Sequence, residues 1–98
     1  WVILSAGVDI EEFVENVKIS SANGASGFLC GRAIWKDAVP LYPDKDAVTK
    51  FLLGEATVNF ENSNAAVSNA TPWFNHKRFG GLKNIELDKK GENWYEIY

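Results

Sequence analysis

Apolar residues open the chain without alternation. Trp1-Val2-Ile3-Leu4-Ser5 offers apolar side chains to both faces, the pattern of a short strand covered on both sides, as parallel strands are. Ala6-Gly7 breaks the run. Asp9 follows as an N-cap, with Glu12 three positions on as in a capping box. Ile10, Phe13, Val14, Val17 and Ser21 then recur at helical spacing, and Asn23-Gly24 supplies a stop. The spacing predicts a helix over 9–23 with one face toward a core. The stretch "ASGFLCG" returns to an apolar, strand-like pattern. Strand, helix, strand in this order is a βαβ unit, with parallel strands and a right-handed crossover.

Beyond it, "RAIWKDAV" reads as a short helical turn, and Pro40 and Pro43 bracket a loop. From Asp44, the residues Ala47, Val48, Phe51 and Leu52 mark one face of a helix ending near Gly54. Asn59 is placed to cap a further helix to about Asn69. Its pattern is weaker, because Ser63 and Asn64 fall where apolar side chains are expected. From Thr71 the chain reads as an irregular, aromatic-rich tail in which "NIEL" is a candidate short strand. The organisation expected is a single α/β unit: a βαβ segment over 1–39, helices over 40–70 and the tail over 71–98.

Two parallel strands with helices on one side leave the other sheet face bare, whereas parallel sheets are covered on both. The missing layer is expected from sequence before Trp1 or from a partner. The absence of any methionine, in a chain that starts inside a strand-like run, points the same way: a piece of a longer polypeptide.

Composition narrows the function classes. A net charge of -3 gives no general attraction to nucleic acid or to an anionic membrane, so an anion site has to be local. No apolar run approaches the roughly 20 residues of a membrane span, and no signal-peptide pattern opens the chain. The single Cys30 excludes an internal disulfide and makes a reducing, cytoplasmic setting the default. Asn69-Ala70-Thr71 matches a glycosylation triplet of a kind that arises by chance.

The chemistry sits in two glycine-containing loops. "SAGV" follows the first strand and "CGRA" the second, so in a parallel arrangement both leave from the same sheet edge. Glycine lets backbone approach a ligand closely, and helical starts near Asp9 and Arg32 aim N–H groups at that edge. Ser5 adds a hydroxyl, and Arg32 a planar fork of donors suited to phosphate. Strands 7 and 8 of a (β/α)8 barrel use this location for phosphate, with a short extra helix nearby that "RAIW" would supply. The competing reading makes the glycines turn residues and pairs Arg32 with a carboxylate such as Asp37.

"WVILSAGVDIEEF", followed at the right interval by "GASGFLCGRAIW", resembles the C-terminal region of the tagatose 1,6-bisphosphate aldolase family, which also includes sulfofructose-phosphate aldolases. The resemblance is dense over 1–37 and looser beyond. It implies the C-terminal βαβα quarter of a TIM barrel, carrying strands 7 and 8. The implied activity is class I, Schiff-base cleavage of a ketose 1,6-bisphosphate into dihydroxyacetone phosphate and an aldehyde, with no cofactor and no metal. By the same resemblance Ser5, Gly7, Gly31 and Arg32 line the phosphate or sulfonate pocket, while Cys30 has no role. The implied partner is a sugar phosphate, and the parent enzyme is a candidate homo-oligomer.

The Schiff-base lysine is expected before Trp1, so these residues carry no catalytic group. Lys18, Lys36, Lys45, Lys50, Lys77, Lys83, Lys89 and Lys90 all lie outside the apolar strands, where such a lysine would be desolvated. His76 reads as a surface histidine without a partner at catalytic or metal spacing. Glu11, Glu12 and Glu15 read as a solvated helix face. Trp94, Tyr95 and Tyr98 read as an aromatic clamp on a barrel rim or as a sugar-stacking surface. Two alternatives remain open at this level: a small non-catalytic anion- or sugar-binding module, and a barrel of another phosphate-binding enzyme.

Overall fold

A computed structural model describes residues 1–86. Trp94, Tyr95 and Tyr98, with Lys89 and Lys90, lie outside the described residues. The chain folds as β1 (Ile3–Leu4), α1 (Ile10–Ala22), β2 (Phe28–Leu29) and α2 (Arg32–Trp35), then a 3-10 helix over Lys36–Leu41. Two further helices follow, α3 (Lys45–Leu53) and α4 (Glu55–Ala66), then 3-10 turns at Trp73–Asn75 and Leu82–Asn84. The two strands pair in parallel, Ile3 opposite Phe28 and Leu4 opposite Leu29. Backbone pairing extends past the assigned strands, with Ser26 N–H donating to Trp1 O (2.8 Å) and Ser5 N–H to Leu29 O (3.1 Å). The βαβ unit is therefore formed, with shorter regular strands than the apolar runs suggest.

Alternation along the strands sorts their side chains. Ile3 and Phe28 face the helices and pack on the buried Phe13, Val17 and Ala33. The Phe28 ring stands edge-on to Phe13 (5.6 Å, 81°) and to Phe60 of α4 (6.3 Å, 72°), so it joins both helices to the sheet. Leu4 and Leu29 point the other way and are each 62% exposed.

Four expectations change. Asp9 occupies the N-cap position of α1, but its side chain makes no capping bond; its carboxylate is taken by Lys36 Nζ, so the Asp9–Glu12 capping box does not form. Pro40 lies inside the 3-10 helix rather than at the start of a loop, because a φ near −65° suits that turn. Asn59 does not cap the last helix. Gly54 is its N-cap, and Asn59 sits a full turn inside, buried together with Ala56 and Ser63. The stripe Ala56, Asn59, Ser63 is the inward face, and Ser63 is compatible with it because its hydroxyl donates back to Asn59 O (2.9 Å). In "NIEL", Asn84 closes a 3-10 turn and Ile85 and Glu86 form no strand, while Leu87 lies outside the described residues. By contrast α3 starts as expected, with Asp44 accepting from Ala47 N–H at 3.0 Å.

Candidate anion site

The loop after β1 turns back sharply. Val8 N–H donates to Ser5 O (3.2 Å), with Ala6 at φ 51° and Gly7 at φ 81°. The loop after β2 is shorter: Gly31 leads straight into α2, and its carbonyl accepts from Ile34 N–H at 2.9 Å. Both loops leave from the carboxyl edge of adjacent parallel strands. Ser5, Gly7, Gly31 and Arg32 consequently line one open cleft of about 480 Å³, together with Leu4, Ala6, Leu29, Cys30 and Trp35.

Arg32 lies across Gly7. A Cβ on Gly7 would stand 3.2 Å from the guanidinium carbon and 3.4 Å from Nε and Nη2. Among the described residues the guanidinium joins no ion pair, with Asp37 or with any other carboxylate. Ser5 is buried at the foot of the cleft. Beside it Cys30 is half-buried, and burial pushes its thiol above the ordinary range, which suits a packed, unreactive sulfur. Chemically the cleft offers a permanent cation, a hydroxyl and glycine-flanked backbone, donor types suited to an anion of phosphate size.

The structure brings two further residues to the site. Trp35 walls the cleft, its indole nitrogen 3.7 Å from where a Cβ on Gly31 would be. Lys36 donates to Gly7 O (3.4 Å) and to the Asp9 carboxylate. Its position four residues after Arg32 was the available signal, since that spacing puts both cations on one side of a helical turn. The expectation for His76 also changes: it is half-buried, with Nε2 3.1 Å from Ser26 Oγ, and ties the tail to the start of β2. The six described lysines all lie off the strands, and none is buried.

These features define a parallel α/β unit with an open cleft at the carboxyl edge of its strands, the edge where open α/β sheets place their ligand sites. The chain is homologous to the tagatose 1,6-diphosphate aldolases. It is 40% identical over 78 residues to tagatose 1,6-diphosphate aldolase 1 of Streptococcus pyogenes serotype M1, covering 74% of this chain and 24% of that protein. It is 37% identical over 82 residues to tagatose 1,6-diphosphate aldolase of Staphylococcus aureus strain Newman, covering 79% of this chain and 25% of that protein. The chain thus spans about a quarter of the length of the curated relatives it matches. No family model matches it.

Proposed function

We propose that these residues form the C-terminal, strand 7 and strand 8 part of a (β/α)8 class I aldolase and supply the pocket for one phosphate, or a sulfonate, of a ketose 1,6-bisphosphate. The observation that carries the reading is the convergence on one cleft of Ser5, Gly7, Gly31 and Arg32, whose guanidinium has no carboxylate partner among the described residues. Arg32 makes the charge-assisted contact, Ser5 and the glycine-flanked backbone complete the donors, and the ketose is thereby oriented toward a Schiff-base lysine elsewhere in the polypeptide. As the carbon–carbon bond breaks, the hydroxyl on the departing carbon gives its proton to a base and leaves as the aldehyde, while that lysine's iminium takes up the bond's electron pair as an enamine. Protonation of the enamine and hydrolysis then release dihydroxyacetone phosphate and the lysine. Homology to tagatose 1,6-diphosphate aldolases supports tagatose 1,6-bisphosphate as the substrate.

The bare sheet face at Leu4 and Leu29 weighs against a self-contained binding module, because an apolar layer on parallel strands calls for a covering layer. The test is Arg32→Ala in the natural polypeptide that contains these residues. Apparent substrate binding is expected to weaken by about 2–5 kcal/mol, as for loss of one partner in a charged contact. Unchanged KM and kcat would overturn the assignment.

A further inference from the structure

The two loops that meet at the cleft belong to different strands. Among the described residues, the backbone pairing between them ends with Ser5 N–H donating to Leu29 O (3.1 Å). Beyond that bond, the relative placement of Gly7 and Arg32 has to be set by side chains. One turn of chain delivers two cations to the same loop. Arg32 lies across Gly7, and Lys36, four residues later, donates to Gly7 O at 3.4 Å and to the carboxylate of Asp9. Among the described residues the first cation has no carboxylate partner, whereas the second pairs with Asp9. That difference divides their roles.

We propose that Lys36 and Asp9 are positioning residues: their pair latches the loop after β1 to the helical turn after β2, holding Gly7 where Arg32 and the loop can share one anion. The assignment rests on the anion-site reading above. The pair is partly exposed, the side chain of Lys36 at 32% and that of Asp9 at 80%, so it contributes little to global stability. Its effect is local order at the cleft. The hydrogen bond from Lys36, and then its charge, hold the Asp9 carboxyl below the usual carboxylate range; the bond to Asp9 in turn raises Lys36, with Asp37 and Glu11 adding smaller contributions. A lowered acid and a raised base keep the pair ionised across the neutral range. It is lost on the acid side as pH falls through the lowered pKa of Asp9, and on the alkaline side as pH rises through the raised pKa of Lys36.

The test uses inorganic phosphate as the probe, titrated calorimetrically into the natural polypeptide, with KM and kcat measured alongside. Lys36→Gln is expected to weaken phosphate binding and raise KM about tenfold, the scale of a misplaced binding group, with kcat and Tm little changed. Lys36→Arg is expected to restore most of the affinity. Asp9→Asn separates a latch from simple charge: removing a negative charge near an anion site would by itself tighten phosphate binding, whereas loss of the latch weakens it. The double variant Lys36→Gln/Asp9→Asn should be no weaker than either single variant, since both break one contact. Tighter binding in Asp9→Asn, wild-type affinity in Lys36→Gln, or additive losses in the double variant would each overturn the latch. Arg32→Gln isolates the underlying reading. If it leaves phosphate affinity intact, the anion site fails and the latch with it; if it weakens binding while Lys36→Gln does not, the latch alone fails.

Discussion

Gly7 leaves little room for a side chain, and its backbone resists one. Its φ is 81°, and an added Cβ would meet the Arg32 guanidinium at 3.2 Å. The two effects separate in a Gly7→Ala variant. Left-handed backbone at a non-glycine residue costs about 1–2 kcal/mol, which a urea denaturation of the natural polypeptide would register. The guanidinium, at the end of a flexible chain, is expected to swing aside, so phosphate affinity falls by more than stability does. Wild-type phosphate affinity in Gly7→Ala would show that the close approach of Arg32 to this loop is irrelevant to binding. The residue types at this site were legible because serine, glycine and arginine carry recognisable anion chemistry. The roles of Lys36 and His76 were not, since each depends on a partner distant in sequence, Asp9 and Ser26 respectively.

At the scale of elements, the βαβ unit and the start of α3 could be read from hydrophobic spacing and capping; for α4 a helix was legible, but its start at Gly54 and its inward face were not. Its inward stripe is Ala56, Asn59 and Ser63, small or polar residues that carry no apolar signal. Ser63 is fully buried, and its hydroxyl is satisfied inside the helix by Asn59 O. What selects it is volume: a small side chain lets α4 lie close to its neighbouring helices. Ser63→Ala is accordingly expected to stay within about 1 kcal/mol of wild-type stability, because one internal hydrogen bond is lost without leaving a buried donor behind. Ser63→Leu should cost about 1–3 kcal/mol through overpacking. Chemical denaturation of both variants checks the ordering; a leucine variant as stable as the alanine one would mean that this helix face is not closely packed.

For the molecule as a whole, the decisive feature is the asymmetry of its sheet. One face carries Ile3 and Phe28 into a core with Phe13 and Val17. The other presents Leu4 and Leu29 at 62% exposure and Val2 at 44%. A monomer that keeps such a layer bare invites association through it. The 98-residue chain produced alone is therefore expected to bind a hydrophobic dye such as ANS and to self-associate at micromolar concentration. Replacing Leu4 and Leu29 with threonine should reduce both, since these side chains support no part of the described core. A sharp thermal transition from a soluble, dye-negative monomer would reverse the conclusion, favouring a self-contained binding module over one part of a closed barrel. Co-expression with the Streptococcus pyogenes aldolase lacking its matching quarter provides the positive arm. If the bare face is a barrel interior, the two pieces should co-purify in a 1:1 complex, and the threonine substitutions should weaken it. Failure of the pieces to associate, with the dye-binding face still exposed, would detach the anion cleft from the barrel reading.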